Sequence, residues 1–188
     1  MAISPTTPTS RPEPPASEAQ RILGVDPGSR VTGYGIVDVS ATDKTSLVTS
    51  GCLRLPGADF PQRLKLIFDG LSEVIHAHAP THMAIEQVFV SRNPSTAIKL
   101  GQARGAAICA GAVGGLPVAE YTAAEIKQAI VGRGRADKAQ VQHMIAALLG
   151  VKGPMQVDAA DALAVALTHV HISATRRRTG VELRRRRR

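Results

Sequence analysis

The segment Arg21–Asp38, RILGVDPGSRVTGYGIVD, constrains the fold more than any other part of the sequence. Its first half is a short aliphatic run, which is typical of a strand buried on both faces. The next four residues, Asp26–Ser29, predict a tight turn in which a proline presets φ and Gly28 supplies a positive φ. A second strand is predicted over Val31–Val39, where small residues let another backbone come close. Asp26 therefore stands where a buried strand enters a turn, either as a simple turn cap or as part of a site.

The chain between residues 40 and 173 shows apolar periodicity that alternates between strand and helix. It predicts strands over 45–55, 82–88 and 116–121, and helices over 61–79, 93–113, 122–130, 137–149 and 158–173. The first three strands form an antiparallel meander, and the strand–helix–strand order that follows predicts parallel pairing of the fourth strand with the first. These elements indicate an α/β fold with a five-stranded mixed sheet flanked by helices.

Two segments outside this region differ from it in composition. Residues 1–20 hold five prolines among serines and threonines, which predicts a disordered leader. Residues 174–188 predict a disordered arginine-rich tail: 176–188 contain eight arginines and one glutamate, whereas 1–175 hold 15 basic and 14 acidic residues. The net charge of +8 therefore belongs mostly to the tail, and such a tail is by itself a weak indication of nucleic-acid binding. One domain is expected over residues 21–173.

The remaining composition excludes several classes of protein. The two cysteines, Cys52 and Cys109, lie in apolar segments and are predicted to be small core residues rather than a disulfide framework. No secretory segment is recognisable, and no apolar run reaches the length of a membrane span. We therefore expect a cytoplasmic protein with no membrane partner.

Four carboxylates, here called the acidic quartet, occupy positions that call for an explanation: Asp26, Glu86, Asp158 and Asp161. Glu86 lies within a predicted buried strand, where a charge is costly unless it is paired or metal-bound, and a salt bridge to an arginine is the structural alternative. If the first and fourth strands are parallel neighbours, Asp26 and Glu86 end at the same sheet edge, where ligand sites form. Asp158 and Asp161 share one face of the last helix, although acids in a first turn also complement the helix dipole.

A cluster of four carboxylates without a matching histidine or cysteine set is a hard-oxygen site that suits Mg²⁺ or Mn²⁺. Two such ions about 3.5–4 Å apart can activate a water and stabilise the leaving oxygen in phosphodiester cleavage. The histidine pairs His76/His78 and His169/His171 are two residues apart, so that the members of each pair diverge on a helix. No Walker A loop or G-x-S-x-G motif is present.

Several segments in the same order resemble the RuvC family of crossover-junction endodeoxyribonucleases: GVDPGSRVTGYGIV, AIEQVF, KLGQARGAA, KAQVQH and DAADALAVALTH. The resemblance spans about residues 21–173. It implies an RNase H-like fold, a homodimer, and resolution of four-way (Holliday) DNA junctions by symmetric paired nicks in recombination and repair. It also implies two Mg²⁺ per active site, which Mn²⁺ can replace, and the branch-migration proteins RuvA and RuvB as partners.

Carried over by motif, the acidic quartet corresponds to the catalytic, metal-binding carboxylates of the family. Phe89 matches an aromatic that stacks on unpaired bases, and a core phenylalanine is the alternative. Lys127 and Lys138 match basic residues that contact DNA near the cut strand. From the sequence alone, Arg133 and Arg135 flank a glycine in a loop and either contact phosphates or stay solvated.

Three other functions remain open on the residues alone. An actin- or hexokinase-like phosphotransferase shares a similar first loop, but it needs two such domains and a longer chain. A DNA-binding module without catalysis would not need the acidic quartet. An RNase H that acts on RNA–DNA hybrids has the same fold, and only the fuller set of motifs disfavours it.

Overall fold

The computed structural model describes residues 19–55, 57, 59–88, 93–134 and 136–179. The predictions for residues 1–18, Phe89, Arg135 and 180–188 lie outside the described residues. The strands are β1 (Gln20–Asp26), β2 (Val31–Val39), β3 (Thr45–Arg54), β4 (His82–Glu86) and β5 (Val118–Tyr121). The helices are α1 (Phe60–His78), α2 (Pro94–Val113), α3 (Ala123–Val131), α4 (Lys138–Leu149) and α5 (Val157–Thr179).

The strands form one mixed sheet in the order β3-β2-β1-β4-β5. β1, β2 and β3 pair as an antiparallel meander, while β4 is parallel to both β1 and β5. The predicted five-stranded mixed sheet and the parallel pairing of β1 with β4 are therefore confirmed. The register pairs Val25 with Ile85 and Glu86 with Tyr121, which aligns the carboxyl ends of the three parallel strands.

Helices cover both faces of the sheet. Successive residues of β1 point to opposite faces, so they are buried against different helices. Leu23 and Val25 are fully buried in a cluster with α1 and α2. Ile22 is buried in a second cluster with α3, α4 and α5. Among the described residues, α5 is the helix that packs most extensively on the sheet, and 12 of its 23 residues are buried.

Glycines let α5 lie unusually close to the central strands. A Cβ on Gly24 of β1 would stand 2.1 Å from the Ala162 carbonyl oxygen, and one on Gly33 of β2 would stand 2.0 Å from that of Asp158. Since real Cβ atoms do not approach that closely, any larger residue would push α5 away from the sheet. The prediction that small residues in β2 admit another backbone is confirmed.

The last helix differs from its prediction. α5 continues six residues beyond the expected end at 173, so that Arg176–Arg178 are helical and the predicted disordered tail cannot begin at 174. Arg177 and Arg178 both pair with Asp43 in the turn between β2 and β3, a contact that local sequence does not reveal. At the other end, Gln20 belongs to β1 and not to the predicted leader.

Two residue-level predictions were also wrong. Gly28 does not adopt a positive φ; a glycine is required there because a Cβ would stand 2.0 Å from the Val31 carbonyl oxygen. Neither cysteine is in the core, since Cys52 is partly buried and Cys109 is exposed on α2. None of the helices in the described ranges is both long and apolar enough to cross a bilayer.

Candidate active site

Asp26 is the last residue of β1, and the turn that follows it is held by a buried threonine. The Thr32 hydroxyl donates to the Gly28 carbonyl oxygen at 3.0 Å and accepts from the Gly28 amide at 3.3 Å. Thr32 is completely buried and Gly28 is half-buried, so these bonds are partly shielded from water. The turn therefore presents the Asp26 carboxylate from a rigid strand end.

Cross-strand neighbours place the other site residues in a row along this edge. Asp26 pairs with Gly33 of β2, which pairs in turn with Cys52 of β3. On the other side, Glu86 is one position beyond the last β1–β4 pair and therefore lies beside Asp26, as predicted. Asp26 and Glu86 both line a cavity of about 250 Å³, together with Pro27, Gln87, Val88 and Leu100.

The remaining two acids come from the first turns of α5. The α5 backbone at Asp158 lies directly over Gly33, the β2 residue that pairs with Asp26. Asp158 also raises the pKa of the Cys52 thiol, after burial as the larger cause, so its carboxylate faces the same edge. Asp161 follows one turn later and is 22 % exposed. All four members of the acidic quartet thus meet at the carboxyl edge of the sheet.

The electrostatics show that the four carboxylates act on one another. Burial is the largest cause that raises the pKa of Asp26 to about 7, and the neighbouring charges of Glu86, Asp161 and Asp158 follow in that order. Burial also raises the pKa of Glu86, with Asp161 as the next cause. A turn cap would not crowd three other acids, so the simple capping interpretation of Asp26 does not account for its surroundings.

Lysines supply the positive charge at the quartet. The Lys138 ammonium donates to Asp161 Oδ2 at 2.6 Å, and its charge opposes the pKa rise of both Asp26 and Glu86. Lys127 of α3 lowers the Glu86 pKa as well, as a smaller cause than Lys138. Among the described residues no arginine forms an ion pair with Glu86, which removes the structural salt-bridge alternative within those ranges.

The residues of the quartet fit a hard divalent cation by their chemistry. They offer carboxylate oxygens alone, and burial together with mutual repulsion makes their joint ionisation costly unless a cation is close. In this structure the Lys138 ammonium supplies part of the positive charge that such a cation would bring. Within the described ranges no three histidine, cysteine, aspartate or glutamate side chains already converge as a metal site, so Asp161 would have to turn from the ammonium to a metal.

The other predicted contact residues are distributed around this edge. Lys127 lies on α3, and Arg133 is exposed in the α3–α4 loop, where its carbonyl oxygen accepts from the Ala136 amide. Phe89 and Arg135 are outside the described residues. The structure therefore brings Lys127 and Lys138 to the quartet and leaves Arg133 on a neighbouring surface.

Sequence reasoning missed three residues at the site. Leu100 reaches the cavity from α2, Cys52 adjoins Asp158, and the Tyr121 carbonyl oxygen accepts from the Gln87 amide at 2.8 Å beside Glu86. Leu100 lies in the KLGQARGAA segment, whereas Cys52 and Tyr121 lie outside the segments that carry the resemblance. Only the strand register and the packing of α2 show that they are neighbours of the acids.

The histidines of α5 serve the packing and not the site. The Tyr121 hydroxyl and His169 Nδ1 are 2.9 Å apart, and burial lowers the His169 pKa to about 4, so the ring is neutral at pH 7. His171 Nδ1 lies 3.1 Å from the Ala129 carbonyl oxygen of α3. The two rings diverge, as their spacing predicted.

Comparisons with known proteins agree with this geometry. The profile of the family described as "Crossover junction endodeoxyribonuclease RuvC" matches residues 22–169. The crossover junction endodeoxyribonuclease RuvC of Methylococcus capsulatus is 56% identical over 165 residues, which cover 88% of this chain and 99% of that protein. The protein of the same name from Stenotrophomonas maltophilia is also 56% identical, over 87% of this chain and 95% of its own length.

Solved structures extend the similarity to three dimensions. T. thermophilus RuvC in complex with a Holliday junction substrate superposes with a TM-score of 0.78 at 34% identity, covering 83% of this chain and 96% of that one. The yeast mitochondrial Holliday junction resolvase superposes with a TM-score of 0.65 at 13% identity, which supports the fold alone. The predicted RNase H-like fold class is confirmed.

Proposed function

Because the chain belongs to the RuvC family, we propose that it is a structure-selective endonuclease that resolves four-way (Holliday) DNA junctions by phosphodiester hydrolysis at the acidic quartet. One observation carries this proposal. Four carboxylates from three separate segments meet at one sheet edge, where burial and mutual repulsion raise the pKa of Asp26 to about 7. A site of this kind suits chemistry on a phosphate that arrives with cations.

The proposed cofactor is a pair of Mg²⁺ ions held by Asp26, Glu86, Asp158 and Asp161, with Mn²⁺ as a substitute. The carboxylates of this set would hold the two ions, which would supply activation of a water and charge stabilisation of the leaving oxygen. The strand ends hold Asp26 and Glu86 in place, and α5 supplies the other two ligands against them. Lys138 and Lys127 would offer their ammonium groups to the phosphates that flank the cut.

We further propose that two copies of the chain act together. One quartet cuts one strand, whereas resolving a junction takes two opposed nicks, so that a two-fold dimer matches the two-fold symmetry of the substrate. Branch-migration proteins of the RuvA and RuvB type are the proposed partners, and the cytoplasm is the proposed compartment.

The decisive experiment separates cleavage from binding. Asp26→Asn and Glu86→Gln should each reduce junction cleavage in Mg²⁺ by more than a hundredfold, while junction affinity in EDTA stays equal or increases because negative charge has been removed near phosphates. Glu73→Gln, an exposed acid on α1, is the matched control and should cleave normally. Cleavage within tenfold of the parent protein by either site variant would exclude the quartet as the metal site.

Substrate choice separates this proposal from its competitors. The four-way junction should be cut in preference to linear duplex and to an RNA–DNA hybrid of equal length. Preferential cleavage of the hybrid would instead indicate an RNase H activity. Junction binding without cleavage in any divalent metal would indicate a non-catalytic module.

A further inference from the structure

Two exposed arginines, Arg30 and Arg54, lie next to each other at the carboxyl edge of the sheet. Arg54 is the last residue of β3 and pairs with Val31 at the start of β2. The Arg30 carbonyl oxygen accepts from the Leu55 amide at 3.1 Å, which joins the turn after β1 to the end of β3. Leu55 is only 4% exposed and fixes this end of β3 in the core. Both arginines therefore extend into solvent from a fixed backbone.

The strand register places Arg54 on the same face of the sheet as the acids of α5. Arg54 and Cys52 are two residues apart on β3, so their side chains point to one face. Cys52 pairs with Gly33, and the α5 backbone at Asp158 lies over that glycine. The charges agree with this placement: burial is the largest cause that raises the pKa of the Cys52 thiol, Asp158 adds to the rise, and Arg54 opposes it. Arg54 thus adjoins the quartet.

Arg54 and Lys138 stand on opposite sides of Asp26. In the sheet order β3-β2-β1-β4, Arg54 is two strands away from Asp26 on one side, whereas Glu86 is one strand away on the other. Lys138 donates to Asp161, and its charge opposes the pKa rise that burial causes in Glu86. Neighbouring strands lie about 4.8 Å apart, so β3 is roughly 10 Å from β1. The quartet therefore lies between two groups of positive charge.

The two guanidinium groups are open to an anion. Within the described ranges neither Arg30 nor Arg54 forms an ion pair. Four other arginines are each paired with a carboxylate: Arg21, Arg104, Arg177 and Arg178. Adjacent guanidinium groups repel each other, and a phosphate relieves the repulsion because its oxygens accept from both. Beside a site proposed to cut a phosphodiester, the phosphates of the DNA backbone are the matching anions.

We propose that Arg30 and Arg54 bind phosphates of the cut DNA strand about three nucleotides from the scissile phosphate, on the side of the cut away from Lys138. The offset follows from the roughly 10 Å between β3 and β1, because a strand of B-DNA advances about 3.4 Å per nucleotide. With Lys138 on the other side, the two arginines hold the strand across the quartet. This role rests on the proposed function, since it is defined relative to a cut.

The first test locates the contact by removing single phosphate charges. The cut is mapped in Mg²⁺, and neutral methylphosphonates then replace each of the four phosphates on either side of it in turn. Junction affinity is measured in EDTA for the parent protein and for the double variant Arg30→Gln/Arg54→Gln. The second to fourth replacements on one side should weaken binding by the parent several-fold and leave the double variant unaffected, as expected of a direct contact. Equal losses in both proteins at every position would overturn the proposal.

The second test measures affinity against salt for the junction and for a linear duplex in EDTA. Arg30→Gln/Arg54→Gln should flatten the slope of log affinity against log salt by up to about 1.8, at about 0.9 per phosphate released. Arg30→Lys/Arg54→Lys keeps the charge and should keep the slope. Lys44→Gln is the matched control, because Lys44 is exposed just before the opposite end of β3, and it should also keep the slope.

An unchanged slope in the double glutamine variant would overturn phosphate binding by the two arginines. The same measurement separates this inference from the proposed function. If the parent protein cuts no junction in Mg²⁺ or Mn²⁺, the proposed function fails, and the slope on linear duplex still decides whether Arg30 and Arg54 bind phosphate.

Discussion

At the scale of single residues, the position of Asp26 in the proposed catalytic quartet carries a cost in stability. Its pKa is about 7 in the folded chain against an ordinary value of 3.8, because burial and three neighbouring acids disfavour the ionised form. The folded state therefore holds a proton on Asp26 more tightly than the unfolded state does. By linkage, this group makes the metal-free protein less stable as pH rises from about 4 through 7.

Asp26→Asn should therefore stabilise the metal-free protein at pH 8, and the gain should shrink as pH falls through 7 and vanish near pH 4. Urea unfolding in EDTA at a series of pH values measures it. Asp38→Asn is a control of opposite sign, because the Arg21 hydrogen bond at 2.7 Å lowers the Asp38 pKa. That variant should lose stability at pH 8. An Asp26→Asn protein no more stable than its parent at pH 8 would contradict the crowded-carboxylate description.

Lys138 permits a second prediction at this scale. Its ammonium holds Asp161 at 2.6 Å and thus competes with a metal for the same oxygen. Lys138→Met should bind Mn²⁺ several-fold more tightly in the absence of DNA, while cleaving junctions more slowly at saturating metal. Calorimetric titration with Mn²⁺ measures the first effect. Lys127→Met removes a charge that lowers the Glu86 pKa but leaves the Lys138–Asp161 bond in place, so it should change Mn²⁺ affinity less. Weaker Mn²⁺ binding by Lys138→Met would show that Lys138 orients Asp161 for the metal instead.

At the scale of secondary-structure elements, the site depends on how closely α5 lies on the sheet. Asp158 and Asp161 of the quartet lie on α5, whereas Asp26 and Glu86 are the last residues of β1 and β4. The relative position of the two pairs is set by the contact between the Asp158 backbone and Gly33. Packing at this contact therefore controls the geometry of the quartet.

Gly33→Ala should displace the start of α5 and reduce cleavage at least tenfold, with a loss of about 1–3 kcal/mol in the free energy of unfolding from overpacking. Gly134→Ala is the control, since its Cβ would meet no atom closer than 3.8 Å and should leave stability unchanged. Urea unfolding and junction cleavage measure the two effects. Normal cleavage by Gly33→Ala would mean that the quartet tolerates a shifted helix.

At the scale of the whole molecule, α2 offers the surface expected of a dimer. Its outward side carries Ile98 and Val113, which are 62% and 76% exposed, and the exposed Cys109. A Cβ on Gly101 or Gly105 of the same helix would meet nothing within 4 Å, so a second backbone could come close. These residues make α2 (Pro94–Val113) the candidate interface of the proposed dimer.

Gly105→Arg should convert the proposed dimer to a folded monomer that no longer makes paired nicks, because a long charged side chain blocks close approach of two helices. Sedimentation velocity measures the mass, and a cruciform plasmid distinguishes paired from single nicks. Gln62→Arg, an exposed position on α1, is the control and should stay dimeric. A Gly105→Arg protein that remains dimeric would move the interface elsewhere, and a fully active monomer would refute the need for a dimer.

The sequence by itself determined the number, order and type of the strands and helices, and it singled out all four acids. These features follow from short-range physics. Apolar periodicity distinguishes strand from helix, a carboxylate within an apolar run is costly, and parallel strands bring their ends to one edge. Asp26 and Glu86 could be placed side by side for that reason alone.

The tertiary structure alone decided the features that depend on residues far apart in the chain. α5 extends to Thr179, and its last arginines meet Asp43, more than 130 residues earlier. Lys138 reaches Asp161 across 23 residues, and Cys52 and Leu100 join the site from separate elements. Gly28 is needed to avoid a steric clash and not for its φ. The local sequence pattern carries no information about these contacts, because they form only when the helices pack on the sheet and bring residues that are distant in the chain together.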